Sequence, residues 1–240
     1  MKQHEAVEEA MRTNGGYATL GLLNQTAPKI AGSLWETKTP FASIRRIVQT
    51  NEKFFRIRPG LWGLSENRQT ILDELGLGPK TSPARQEELT HGYYQGLLLE
   101  IGNWSSKQTF VPAQDKNRLF LNRKLSEVAS LSEYYEYTYA PVLNRTRTID
   151  VTWFNSRRYP DSVFEVEHST DIYNSLLKFM ELQDFHVKLH IVADSVRKNE
   201  YLDKLKSSAF EPIQQRVEFL DYDTLAQRHT LLSQLTMLGR

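Results

Sequence analysis

IDVTWFNSRRYPDSVFEVEHST, residues 149–170, is the stretch whose reading decides the larger part of the chain. Asp150 opens one apolar run, the polar segment NSRRYPDS makes a turn, and Glu165 and Glu167 sit in a second run between Phe164 and Val166. In a strand, successive side chains point to opposite faces. Phe164 and Val166 therefore go to the core, and Glu165 and Glu167 share the other face. Pairing through the turn brings Asp150 beside Glu165. Two carboxylates that close repel, each raises the other's pKa, and a bound Mg²⁺ removes the penalty. The plainer alternative is a solvated strand face carrying ordinary acids.

The flanks extend this hairpin into an α/β pattern. Upstream, LTHGYYQGLLLEIGNWSS (89–106) reads as a helix with Tyr93, Leu97 and Ile101 inward, and QTFVPAQDKN as a short extended piece. The run 142–154 reads as one strand leading into the turn. Downstream come an amphipathic helix over 170–183, a buried strand over 186–193, a helix over 196–215 and a strand over 216–222. Strands alternating with helices give a mixed central sheet. Ser169 and Thr170 are plausible N-caps for the first of these helices. His168 faces away from the glutamates. His186 and His190 would share a strand face, but no third ligand lies near them in sequence, and the apolar residues between them read as core.

The first 64 residues have a different texture. Ala6, Val7, Ala10 and Met11 fall at helical spacing and stop at Gly15-Gly16; Leu20, Leu22 and Leu23 start a second helix. Thr39-Pro40 opens a third, with Phe41, Ile44, Ile47 and Val48 as its apolar stripe. FFRIRPGLWGL, residues 54–64, is a hairpin turning at Pro59-Gly60. Three helices closed by a hairpin describe a winged helix. Lys38, Arg45, Arg46, Lys53, Arg56 and Arg58 crowd the third helix and the hairpin, opposed there mainly by Glu36 and Glu52. Such folds set the third helix in the major groove, so this shared sign points to DNA phosphates against the alternative of a solvated face. Residues 65–88, with Gly76, Gly78, Pro79, Ser82 and Pro83, form the best seam. The expected division is 1–66, a 67–88 linker and 89–240.

Composition sets bounds. The 240 residues are long enough for a substantial core, and 40% hydrophobic with 25% charged residues is ordinary globular usage. A net charge of +1 means any basic surface is local. The absence of cysteine removes disulfides and thiolate metal sites and suits a reducing, cytoplasmic setting. The N-terminal stretch reads as a charged helix rather than a signal peptide, and no apolar run reaches the ~20 residues a membrane helix requires. No Gly-x-x-x-x-Gly-Lys-Ser/Thr loop is present, so no nucleotide cofactor is expected.

Two resemblances follow. KTPFASIRRIV with FFRIRPGLWGL resembles the HARE-HTH winged helices of chromatin proteins, RNA polymerase subunits and restriction endonucleases; the resemblance covers about the first 64 residues and implies DNA binding. The segment around Tyr17 to Pro28 departs from that pattern. The second half resembles the PD-(D/E)XK nuclease superfamily, whose core is a helix, a strand, a hairpin bearing Asp…(Asp/Glu)-x-Lys, a helix and a further strand. Asp150 matches the first acid, Glu165 the second and Val166 the spacer, while Glu167 stands where lysine is usual. Lys178 on the following helix is a candidate replacement, and Glu100 matches an accessory acid of some members. Lys116, Arg118, Arg123, Arg145, Arg147, Arg157 and Arg158 flank this site.

The resemblances together imply an α+β, two-domain type II-like restriction endonuclease. Asp150, Glu165 and Glu167 would be catalytic, with Asp150 and Glu165 binding Mg²⁺ (Mn²⁺ may substitute). Lys38, Arg45, Arg46, Arg56 and Arg58 would contact double-stranded DNA. The product would carry 5′-phosphates, the chain would act as a homodimer, and a cognate DNA methyltransferase would accompany it. The competing expectations are a DNA-binding regulator with an inactive nuclease fold and an RNA-processing or phosphoesterase enzyme using the same carboxylates.

Overall fold

The computed structural model describes residues 1–33, 35, 37–169 and 171–239. Internal contacts divide the chain into two units, Met1–Gln86 with Ala226–Arg240, and Glu87–Leu225. The fold class is α+β, with a mixed five-stranded sheet and two small antiparallel ones.

In the first unit, α1 (Gln3–Thr13) buries Ala6, Val7, Ala10 and Met11 and stops where Gly15 and Gly16 take positive φ, which glycine adopts without steric cost. Strand β1 (Tyr17–Thr19) leads into α2 (Leu20–Thr26), capped by the Thr19 hydroxyl, which accepts from Leu22 N at 3.1 Å. Helix α3 (Pro40–Thr50) starts on its proline and buries Ile44 and Val48. Strands β2 (Phe54–Arg58) and β3 (Leu61–Leu64) form the hairpin, turning through Gly60 at φ +75°. β1 pairs antiparallel with β3, giving a sheet ordered β1-β3-β2. This short strand falls in the segment, Tyr17 to Pro28, where the winged-helix resemblance is weakest. Met11, Leu23, Ile44, Phe54 and Leu64 meet in one apolar cluster. Helix α4 (Arg68–Glu74), anchored by buried Ile71, occupies part of the 67–88 seam.

Helix α5 (Pro83–Trp104) starts six residues before the expected Leu89, because Pro83 suits a first turn. β4 (Gln108–Phe110) follows, then the small hairpin β5 (Leu119–Phe120) and β6 (Arg123–Lys124), and the short helix α6 (Leu125–Val128). The single strand expected over 142–154 is instead α7 (Ala140–Thr146) followed by β7 (Val151–Phe154). Pro141 in the first turn and the inward set Val142, Leu143 and Thr146 have helical spacing, not alternation. β8 (Pro160–Glu167), α8 (Ile172–Met180) and β9 (Lys188–Ala193) come in the expected order. The expected helix over 196–215 is shorter: α9 (Lys198–Leu205) ends before a 3₁₀ stretch, Ser208–Ile213, that contains Pro212. β10 (Val217–Asp221) and α10 (Tyr222–Met237) complete the elements.

The large sheet runs β10-β9-β8-β7-β4. β8, β9 and β10 are parallel to one another, while β7 is antiparallel to both β8 and β4. α8 and α9 cover one face through Ile172, Leu176, Phe179, Tyr201 and Leu205, packed on Val163, Leu189 and Ile191. On the other face α5 comes close: Trp153 Nε1 donates to Leu98 O at 3.1 Å, and a Cβ on Gly102 would strike Thr109 and Trp153. With a helix on both faces, Glu165 and Glu167 are buried like their apolar neighbours, each only 3% exposed.

Among the described residues, no helix is long and apolar enough to cross a membrane.

Candidate active site

Pairing of Val151 with Phe164 sets the register of the β7–β8 hairpin and leaves Asp150, one residue earlier, beside Glu165. The Asp150 carboxylate is fixed from across the ladder, where Oδ2 accepts from Val166 N at 2.8 Å. Two further elements converge on it. His91 and Gln95, four residues apart and so on one face of α5, both turn toward it. His91 Nε2 lies 3.2 Å from Asp150 Oδ2, and Gln95 Nε2 donates to Asp150 O at 3.1 Å. The loop after β4 delivers Asp115, 2% exposed, whose Oδ2 accepts from Gln95 Nε2 at 2.8 Å. Arg118 Nε stands 2.6 Å from Asp115 Oδ1. One ligand atom each from His91, Asp115 and Asp150 falls within 4.8 Å of the others, a spacing that suits one cation.

Glu165 is held differently. Lys178 Nζ, from α8, donates to both carboxylate oxygens at 2.8 and 2.9 Å and to Thr148 O at 3.2 Å. Ser175, one turn earlier on α8, bridges the two glutamates: its Oγ reaches Glu165 Oε2 at 3.1 Å and also donates to Glu167 Oε1. α8 is aimed by its cap, since Asp171 accepts from Tyr173 N at 3.0 Å. The cap is thus Asp171, while Ser169 donates to Glu87; Thr170, named with Ser169 as a capping candidate, lies outside the described residues, as does Glu36.

Burial opposes every charge in this cluster, and specific partners decide which charges survive. Burial alone would raise the Asp150 carboxyl, but His91, Lys178 and the Val166 amide outweigh it and hold it below the ordinary carboxylate value. Glu165 goes the other way. Burial pushes it well above that value, Asp150 adds repulsion, and Lys178 offsets only part. Burial and Asp150 likewise raise Asp115. For His91 and Lys178 burial favours the neutral form, yet Asp150 and Glu165 respectively overcome it and raise both. Neighbouring carboxyls driven to opposite sides of their usual pKa can divide acid and base roles.

The other expected residues are placed as follows. Glu100, the accessory-acid candidate, lies further along α5 in a 2.5 Å pair with Arg123. Arg45 and Arg46 project from α3 into solvent; Lys38 and Arg56 are exposed and Arg58 is half-buried. Lys53 pairs with Glu8 at 2.8 Å. His190 is buried and stacks on Phe164 at 4.7 Å, while His186 precedes β9 and is exposed, so the two form no ligand pair. His91, Gln95 and Asp115 were not anticipated. The one available sign was the i, i+4 spacing of His91 and Gln95 on the helix that opens the nuclease-like pattern.

The donor set fits a divalent cation. Around it the buried Gln95 Oε1 reaches no hydrogen-bond partner, and His91 Nε2 and Asp115 Oδ1 are held only by their ion-pair contacts to Asp150 and Arg118. Such atoms are costly unless something satisfies them. In comparisons with known proteins, the family model described as the type II restriction enzyme NmeDI C-terminal domain matches residues 78–239. No curated protein and no solved structure matches the chain.

Proposed function

The chain belongs to the family of the type II restriction enzyme NmeDI C-terminal domain, and from that membership we propose that it is a Mg²⁺-dependent endonuclease that cuts double-stranded DNA and leaves 5′-phosphates. The observation that carries the reading is the group of buried Asp150 and Glu165 with half-buried Lys178, whose Nζ is forked onto Glu165. It supports a PD-(D/E)XK assignment for the second unit, because the order α5, β4, β7–β8, α8, β9 is the one that resemblance implies.

Asp150 and Glu165 are the acids that would hold the ion, with Mn²⁺ as a substitute for Mg²⁺. When bound, the ion supplies charge stabilisation at the phosphodiester and lowers the pKa of water. Lys178 brings an ammonium to the second acid from the following helix, the service a lysine at position 167 would give. Glu167 orients Ser175, and through it Glu165. Glu100, on α5, remains the accessory-acid candidate, tied to Arg123.

We assign the first unit as a winged helix, with Lys38, Arg45, Arg46, Arg56 and Arg58 on DNA phosphates. Replacing Arg45 and Arg46 with alanine should weaken duplex binding and flatten its salt dependence by roughly one unit of slope per lost phosphate contact. A titration series across salt concentrations measures this, and an unchanged slope removes α3 from the interface.

The function itself is tested by incubating supercoiled plasmid with the protein and Mg²⁺, with a chelator control and end sequencing. Metal-dependent breaks with 5′-phosphates support it; binding without cutting favours a regulator with an inactive nuclease fold. One site cuts one strand, so a double-strand break calls for a two-fold homodimer. Mixing wild type with excess Glu165→Ala chains should then give nicked circles in place of linear DNA. Linear product that scales with the wild-type fraction, without added nicking, argues for a single chain making both cuts. Cutting duplex DNA also calls for a cognate DNA methyltransferase to protect the host.

A further inference from the structure

We infer that His91 and Asp115 join Asp150 in holding the cation, giving a mixed nitrogen–oxygen shell that Mn²⁺ can enter with an imidazole nitrogen directly bound. The inference rests on the nuclease reading for its purpose, but on separate observations for its geometry.

The two acids of the hairpin are not equivalent partners for an ion. Both oxygens of Glu165 are taken by Lys178, and Oε2 is also taken by Ser175. Asp150 instead faces α5 and the loop after β4, where His91 and Asp115 present their ligand atoms within 4.8 Å of one another and of its own. Asp115 is almost fully buried, as is Gln95, and burying an acid there is unfavourable unless a cation compensates it.

The compensation present is incomplete. His91 Nε2 stands 3.2 Å from Asp150 Oδ2, and Arg118 Nε 2.6 Å from Asp115 Oδ1, yet neither His91 Nε2 nor Asp115 Oδ1 reaches hydrogen-bond geometry. Gln95 supplies an independent sign. Its amide is wholly buried against the group, with Nε2 on Asp115 and on the Asp150 carbonyl, and its Oε1 has no donor. An oxygen of that kind accepts from a water bound to a cation.

The donor set indicates the ion. Mg²⁺ takes oxygen ligands and dehydrates reluctantly, whereas imidazole raises affinity for transition ions. Mn²⁺ accepts both carboxylate and imidazole. The roles then divide: His91 and Asp115 join Asp150 at the ion, and Glu165, whose oxygens are engaged by Lys178 and Ser175, is the weaker of the two hairpin acids as a ligand.

The test uses the whole protein and Mn²⁺ alone. Pulsed EPR of the Mn²⁺-loaded wild type should show coupling to a directly bound nitrogen, and the isotope signature should change when the protein carries nitrogen-15 histidine. His91→Gln should abolish that coupling. His91→Gln and Asp115→Asn should each weaken Mn²⁺ binding by at least about tenfold, since even outer-shell changes have effects of that order. Glu165→Gln should weaken it less than either. The labelling arm needs no substitution, so a misfolded variant does not remove the test. Wild type without nitrogen coupling, or His91→Gln with coupling and affinity unchanged, overturns the inference. Cleavage of DNA without nitrogen coupling leaves the nuclease reading standing and this inference lost; nitrogen-bound Mn²⁺ without cleavage does the reverse.

Discussion

Asp150→Asn should reduce DNA cleavage by about a thousandfold or more while leaving duplex binding within a few-fold of wild type. A loss of roughly 4 kcal/mol of transition-state stabilisation corresponds to that factor. Asparagine keeps an oxygen for the Val166 amide, 2.8 Å away in the wild type, so the hairpin register should survive. What disappears is the charge that faces His91 and that, in the proposed site, would hold the ion. Single-turnover cleavage alongside equilibrium binding separates the two effects, and a near-wild-type rate would remove Asp150 from the chemistry.

The same substitution has a pH signature. The His91 pKa is raised above its ordinary 6.5, because Asp150 overcomes the burial that favours neutral imidazole. A raised folded-state pKa contributes stability that is full below 6.5 and is lost as pH rises through the folded value. Denaturation of the metal-free wild type should therefore carry a contribution that fades as pH climbs past 6.5 and through the raised folded value. In Asp150→Asn that contribution should shrink or vanish.

Lys178→Met is the second large expectation, and its first effect is on folding. Removing one partner of a buried ion pair leaves the other uncompensated, at about 3–5 kcal/mol. Glu165 is 4% exposed at its side chain and Lys178 20%, so the lower end of that range applies. Adding Glu165→Gln should recover most of the lost stability, since no unpaired carboxylate remains, but it should not recover cleavage. Urea unfolding of the two single variants and the double variant forms the cycle. A cost of less than about 1 kcal/mol for Lys178→Met would mean that the fork does not hold Glu165 in solution.

The hairpin and the helix after it were legible because their signals are local. Alternation in FEVEH fixes which residues share a face, and the apolar spacing of α8 puts Lys178 one element away from Glu165. Lys178 was accordingly named from the sequence as a replacement for the missing lysine. What could not be read was the rest of the shell. His91 and Asp115 reach Asp150 from elements that pack tightly at glycines of α5: a Cβ at Gly96 would overlap the Phe120 ring of the small β5–β6 hairpin, and one at Gly102 the Trp153 ring of the large sheet. Glycines inside a helix read as weakness on propensity alone, although here they mark close approach. α7 was misread because Val142 and Leu143 are good strand residues in isolation; Pro141 and the partners available in the fold decide otherwise. The burial of Glu165 and Glu167 was also hidden, since alternation shows that two residues share a face without showing what covers it.

The segment from Ala226 onward folds with the first residues of the chain. Gly21 on α2 has no side chain where His229 of α10 lies, and Asn24 Nδ2 donates to Ser233 Oγ at 3.3 Å. During synthesis, then, α2 emerges early and waits for a partner that is translated roughly two hundred residues later, a delay of ~10–40 s at ordinary elongation rates. The candidate active-site residues, all made in the interval, can assemble before the first unit is finished. On the roles proposed for the two units, the order of translation puts chemistry ahead of recognition, and a nascent chain spends those seconds with one core complete and the other waiting for its last helix.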